Sequence, residues 1–119
     1  MLDHKREGRL ASLLLFYLLF SFQLLGGIIY ETEHKYEADV KIYRTKYKYE
    51  ADIIVYVSKY KYESLGKDEI WYFSPYKYEA AAKVYFTKYR YEADLKVYFT
   101  KYKYEAKWIT SSIFRVFFK

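Results

Sequence analysis

From Tyr36 onward, apolar and polar positions alternate with a period of two in short runs, and the runs recur. Starting at Tyr43, one face carries Tyr43, Thr45, Tyr47, Tyr49, Ala51, Ile53 and Val55. The other carries Arg44, Lys46, Lys48, Glu50, Asp52 and Ile54. Such alternation predicts half-buried strands, and a content of Tyr, Val, Ile, Phe and Thr suits a pleated surface. Wound as a helix, the same residues would group Lys46 with Tyr49 and Glu50 and leave no apolar stripe.

The runs are copies of one cassette, clearest as YEADLKVYFTKYK at Tyr91–Lys103. Copies begin at Tyr36, Tyr49, Tyr62, Tyr78, Tyr91 and Tyr104, in steps of 13, 13, 16, 13 and 13 residues. A fixed period marks a repeat architecture. The expected fold is therefore all-β, a small tandem-repeat domain of about six 13-residue units. Thirteen is odd, so each unit should arrive with its apolar set turned outward. The apolar dipeptides Ile42–Tyr43, Val55–Tyr56, Trp71–Tyr72, Val84–Tyr85 and Val97–Tyr98 predict a bulge or bend that restores the phase. This reading puts Tyr43, Tyr47, Tyr49, Val55, Tyr56, Val84, Tyr85, Val97 and Tyr98 in the core, with Val84–Phe86 and its equivalents the most buried part. Identical units paired in parallel and in register would set lysine on lysine. Antiparallel or offset neighbours are expected instead, with Lys46 or Lys48 facing the acids of another unit.

The ends and the middle depart from the cassette. Residues 10–30 carry no charge, but a degenerate half-unit starts near Ile28, where Tyr30, Thr32 and Lys35 align with Tyr98, Thr100 and Lys103. The free apolar segment is then Leu10–Leu25, an expected N-terminal helix after a basic start at Lys5, Arg6 and Arg9. Sixteen residues are short against the roughly 20 of a membrane span, and suit either a signal-peptide core or an uncleaved membrane anchor. Both place the repeats outside the cytoplasm. The expected division is a leader at residues 1–27, with Gly26–Gly27 as a hinge, and a repeat domain at 28–119. The third unit has three extra residues, Gly66 and Pro75, signals of a loop. It splits the repeats into two halves of about three units each. The last unit ends in the apolar Ile113–Phe118, which should cover the domain or meet a membrane or partner.

Tandem units of this wording, EADVKIYRTKYKYEAD at Glu37–Asp52 and EADLKVYFTKYKYEA at Glu92–Ala106, resemble the septoil-knot domain family. The resemblance spans roughly Ile28–Trp108. It implies a small β-rich domain whose backbone is threaded into a torus knot of seven crossings, and it implies no activity, ligand or catalytic residue. Two three-unit halves suit a chain passing twice around one ring.

Composition narrows the function classes. With no cysteine there is no thiolate metal site and no disulfide. His4 and His34 belong to no ligand cluster, and the serines have no adjacent base. The carboxylate pairs Glu37/Asp39, Glu50/Asp52 and Glu92/Asp94 recur in unit after unit, which points to charge pairing rather than a unique site. No cofactor, metal or catalytic residue is expected. The net charge of +6 is spread over the repeats and favours loose attraction to anionic polymers. Lysine interleaved with tyrosine reads either as the face of a tyrosine core or as a platform for a glycan or single-stranded nucleic acid. The leading expectation is a monomeric, non-enzymatic structural or binding module of the cell envelope. Polymer binding through an exposed aromatic surface comes second. A toxin or effector role has only the apolar tail behind it.

Overall fold

The computed structural model describes residues 26–118; the apolar segment 10–25, with its expected helix and leader, lies outside them. Seven strands form: β1 Ile28–Glu31, β2 Val40–Arg44, β3 Ile53–Val57, β4 Ile70–Phe73, β5 Ala82–Phe86, β6 Leu95–Thr100 and β7 Lys107–Trp108. The first six close on themselves in the order β1, β5, β2, β6, β3, β4 and back to β1, every pairing parallel. The result is a six-stranded parallel barrel.

Counted from the first tyrosine of each regular unit, the fifth residue of one strand sits beside the seventh of its neighbour, and β4 keeps the same offset once the three extra residues of its unit are set aside. Val40 faces Val84, Leu95 faces Ile42, Ile53 faces Val97, and Ala82 faces Ile29. An even offset keeps the same face inward on every strand, whereas an offset of one would turn each core residue out. Six steps of two residues give a total shear of twelve. With ordinary strand rise and spacing this tilts the strands by roughly 55° and sets a radius of about 8 Å, room for side chains and little else.

That interior is aliphatic and aromatic. Ile29, Val40, Ile42, Ile53, Val55, Trp71, Ala82, Val84, Leu95 and Val97 are all buried, with Phe73, Phe86 and Phe99 packed against them. Of the expected core, Val55, Val84 and Val97 lie inside. The tyrosines do not. Tyr43, Tyr56, Tyr85 and Tyr98 stand half-buried on the outer wall, one residue out of phase with the core. Tyr47 and Tyr49 are 52% and 83% exposed and belong to a turn. The expected bulges are also absent, because hydrogen-bonded pairing runs unbroken through Ile42–Tyr43–Arg44 and Val84–Tyr85–Phe86. The odd period is instead absorbed outside the sheet, in 3₁₀ turns such as Lys48–Glu50 and Arg90–Glu92. Neighbours are parallel rather than antiparallel, and the stagger, which was the other expectation, is what separates like charges.

The stagger also removes the usual need for a long crossover between parallel strands. Glu31 at the end of β1, Val84 of β5 and Val40 at the start of β2 lie on one hydrogen-bonded row. Arg44, Val97 and Ile53 form another, and Phe73, Ile29 and Ala82 a third. Each strand thus begins beside the point where the previous one ended, two places along, and the connection only has to strap across the strand between. Asp39, Asp52 and Asp94 secure these starts. Each accepts a backbone N–H from the neighbouring strand, at Lys83, Lys96 and Lys41, at 2.8–2.9 Å.

Steps of two would send a second lap back onto occupied places. The long third unit prevents this, because β3 and β4 are immediate neighbours. That single step, through the short helix α1 (Lys61–Ser64) and Gly66 at φ +73°, shifts the second lap into the gaps left by the first. Gly26–Gly27 is packed into the domain rather than left as a hinge. The Gly27 N–H donates to the Ser64 carbonyl at 3.1 Å, and a β-carbon on Gly27 would lie 1.8 Å from the Ile70 carbonyl oxygen. After β6 no place remains, so β7 turns antiparallel and takes the open edge of β3 at Ile53 and Ile54. The C-terminal 3₁₀ segment Ile113–Phe118 then buries Phe118 completely, its ring stacked on Trp71 at 5.4 Å.

Truncating the barrel wall and the turn should give opposite results. Trp71→Ala is expected to cost about 3–5 kcal/mol, while Tyr49→Ala should stay within about 0.5 kcal/mol of the parent. Urea denaturation followed by tryptophan fluorescence for Tyr49→Ala, and by far-ultraviolet circular dichroism for Trp71→Ala, would check both.

Candidate functional site

Each unit ends its strand with a buried hydroxyl, at Thr32, Thr45, Ser58, Ser74, Thr87 and Thr100. The oxygen accepts the N–H of the residue two further on, at 3.0–3.2 Å in all six. This local bond turns the chain out of the sheet. In five units the hydroxyl also donates to the glutamate five residues ahead, as Thr87 does to Glu92 at 2.6 Å and Ser58 to Glu63 at 2.7 Å. The glutamate is thereby fixed before it meets its cation.

The cations come from the neighbouring straps. Lys35 pairs with Glu92 (2.9 Å), Arg90 with Glu50 (3.1 Å), Lys48 with Glu105, Lys103 with Glu63 (2.5 Å), Lys61 with Glu79, and Lys77 with Glu37 (2.5 Å). Followed from turn to turn, these pairs return to their start at Lys35–Glu37. They form a closed ring of six in the order of the strands. Four of the cations also lie over an outward tyrosine of the strapped strand: Lys35 over Tyr85, Lys48 over Tyr98, Lys77 over Tyr30 and Arg90 over Tyr43, at 5.2–5.9 Å. This explains why tyrosine, with its apolar body and electron-rich face, holds that position half-buried.

Hydrogen bonds from the partner cations hold Glu37, Glu63, Glu79 and Glu105 below the usual carboxylate range, and at Glu92 the Thr87 hydroxyl leads, followed by Lys35. Reciprocally, bonding to glutamate raises Lys35, Lys48, Lys61, Lys77 and Lys103. The carboxylates that sequence spacing singled out are therefore committed, glutamates to the ring and Asp39, Asp52 and Asp94 to backbone. Among the described residues no group of three or more acids and histidines is placed to hold a metal.

Outside the ring stands a belt of aromatic pairs. The ring of the residue before each Lys/Arg-Tyr-Glu turn packs on the tyrosine within it, stacked for His34 on Tyr36 and Tyr60 on Tyr62, and tilted for Tyr47 on Tyr49, Tyr76 on Tyr78, Tyr89 on Tyr91 and Tyr102 on Tyr104. Centroids are 5.4–5.7 Å apart. All eleven tyrosines are more than half exposed, and Tyr36 reaches 87%. Of these rings, sequence reasoning assigned Tyr47 and Tyr49 to the core because it joined strand and turn in one alternation.

A model of the family described as the 7(1) septoil knot domain matches residues 26–109. The chain belongs to this family. The septoil knot match begins at Gly26, where the packed glycines begin, and ends one residue after β7, so it takes in the barrel and its six straps. No curated protein and no solved structure matches the chain.

The ring predicts how stability should depend on pH. Depressed glutamates add stability that is present above their ordinary value of about 4.3 and is lost as pH falls through the depressed values. Raised lysines add stability present below about 10.4, lost as pH climbs through their elevated values. Urea midpoints should hold level across neutrality and fall in acid below about pH 4. An unchanged midpoint at pH 3 would remove the ring from the stability of the domain.

Proposed function

We propose that the chain is a non-enzymatic binding module of the cell envelope and that the aromatic belt is its working surface, laid against a glycan polymer. The observation that carries this reading is the exposure of eleven tyrosines in packed aromatic pairs, an apolar area the fold leaves uncovered. Paired rings present flat, rigid faces to the C–H surface of sugars, and the flanking Lys46, Lys59, Lys88 and Lys101 add cationic donors. Six repeated pairs on one rigid body favour a repeating ligand, because each further contact is made at high effective concentration. Commitment of the acids to structural pairs supports a binding role over a catalytic one. In this reading residues 10–25 serve as export signal or tether.

We also infer that the backbone is deeply knotted. Support comes from the interleaved laps: the connections β1–β2, β2–β3, β4–β5 and β5–β6 each pass over a strand of the other lap, and the family description names a knot of this kind. A knotted chain pulled from both ends retains a tightened loop. Its contour in single-molecule extension should fall short of the roughly 3.3–3.6 Å per residue of a free chain; full extension would rule the knot out.

Cosedimentation with insoluble cell-wall glycan tests the belt. The parent should be retained, and the triple variant Tyr49→Ala, Tyr91→Ala, Tyr104→Ala should bind at least about tenfold less, some 1.4 kcal/mol, with an unchanged circular dichroism spectrum. Equal retention of the two would reject the glycan reading. Salt-sensitive affinity for single-stranded RNA, with none for glycan, would transfer the belt to nucleic acid.

A further inference from the structure

Five large aliphatic side chains stand exposed among the described residues: Val57, Leu65, Ile109, Ile113 and Val116. All but Val57 gather at the pole of the barrel where its strands begin. Leu65 is bridged to Gly26, just ahead of β1. Ile109 follows β7, which pairs with the first residues of β3. Ile113 and Val116 stand on either side of Arg115, whose Nε–H donates to Asp68, two residues before β4, at 3.0 Å.

The C-terminal segment Ile113–Phe118 is a 3₁₀ helix, and three residues per turn give it three faces. One carries Arg115 and Phe118 and is anchored. Phe118 is buried against Trp71, and the Trp108 indole N–H donates at 2.8 Å to the same Asp68 oxygen that Arg115 uses. A second face carries Phe114 and Phe117, half-buried and packed on each other at 6.3 Å. The third carries only Ile113 and Val116, 79% and 67% exposed. The segment cannot roll these two inward without breaking the Arg115–Asp68 bond and drawing Phe118 off Trp71. It also lies beyond the family match, which ends at Ile109, so the shared fold does not account for it.

The chain that enters beside this face indicates what covers it. Residues 10–25 carry no charge and join the domain at Gly26. A β-carbon on Gly26 would lie 3.0 Å from the Lys67 nitrogen, so the entry point is next to the Asp68 that holds Arg115. Lys67 and Lys107, exposed on the same pole, suit anionic head groups.

We propose that this pole seats on an anionic lipid bilayer, with Leu65, Ile109, Ile113 and Val116 in the interface. The inference rests on the envelope reading above and takes residues 10–25 as the tether. Four aliphatic side chains bind a bilayer weakly by themselves, but a tether makes their contact intramolecular. The same seating leaves the aromatic belt, carried on the straps around the wall, free for its polymer.

The sequence has no cysteine, so single sites can be labelled in the full-length chain. Ile113→Cys and Val116→Cys at this pole, and Lys88→Cys at the opposite one, would each carry an environment-sensitive nitrobenzoxadiazole probe. Vesicles of phosphatidylethanolamine and phosphatidylglycerol, with and without a doxyl-labelled lipid, supply the bilayer. The two pole probes should shift to the blue and lose emission to the doxyl lipid, while the Lys88→Cys probe keeps its aqueous spectrum. With Ile113→Asp and Val116→Asp together, a probe at Ile109→Cys should stay aqueous although the protein still sediments with the vesicles. Sedimentation with aqueous pole probes, or equal quenching at Lys88→Cys, would overturn the seating and leave the tether standing. Failure to sediment at all would remove tether and seating together. A probe shift that grows with protein concentration in the absence of lipid would give the face to a second copy instead.

Discussion

The two-residue offset between neighbouring strands is the constraint on which the rest of the molecule depends. It preserves the inward face around a closed barrel, since strand side chains repeat every two residues. It puts the start of each strand beside the end of its predecessor two places away, as the row Glu31, Val84 and Val40 shows. A parallel sheet ordinarily needs helices to carry the chain back. Here eight residues, Thr32–Asp39, suffice between β1 and β2, and the cassette can be short and uniform.

Short straps impose their own demands, and the remaining conserved wording of the cassette answers them. The Thr or Ser hydroxyl turns the chain, the glutamate locks to that hydroxyl, and the next cation reaches the adjacent strap's glutamate. Each such contact is partly exposed and individually modest. Their closure into a ring means that every strap is held on both sides, with no terminal member to fray. The aspartate then returns the chain to the sheet.

Much of this was legible. The period of thirteen, the all-β class and the division into two three-unit halves could be read from the spacing of Tyr36, Tyr49, Tyr62, Tyr78, Tyr91 and Tyr104, and the longer sixteen-residue step falls where the structure changes lap. Strand polarity and the place of the tyrosines were not legible. A cassette with strands and turns of fixed size contains two phases of alternation, and nothing local shows where one ends. Joining them made Tyr47 and Tyr49 look continuous with Ile53 and Val55, while Ile42 was left on the wrong side of Tyr43. The lock between Thr45 and Glu50 fixes the boundary, and only a recurring Thr-to-Glu spacing of five could have revealed it.

The interleaving of laps bears on how the protein is made. β1, β2 and β3 pair with none of one another, and each finds its parallel partners only among β4, β5 and β6. A nascent chain that has released its first three strands from the ribosome therefore has no ladder to form. Cooperative structure waits on distant residues, which makes for slow, late assembly. The unfinished polypeptide stays extended and pliable until nearly all of it has been synthesised.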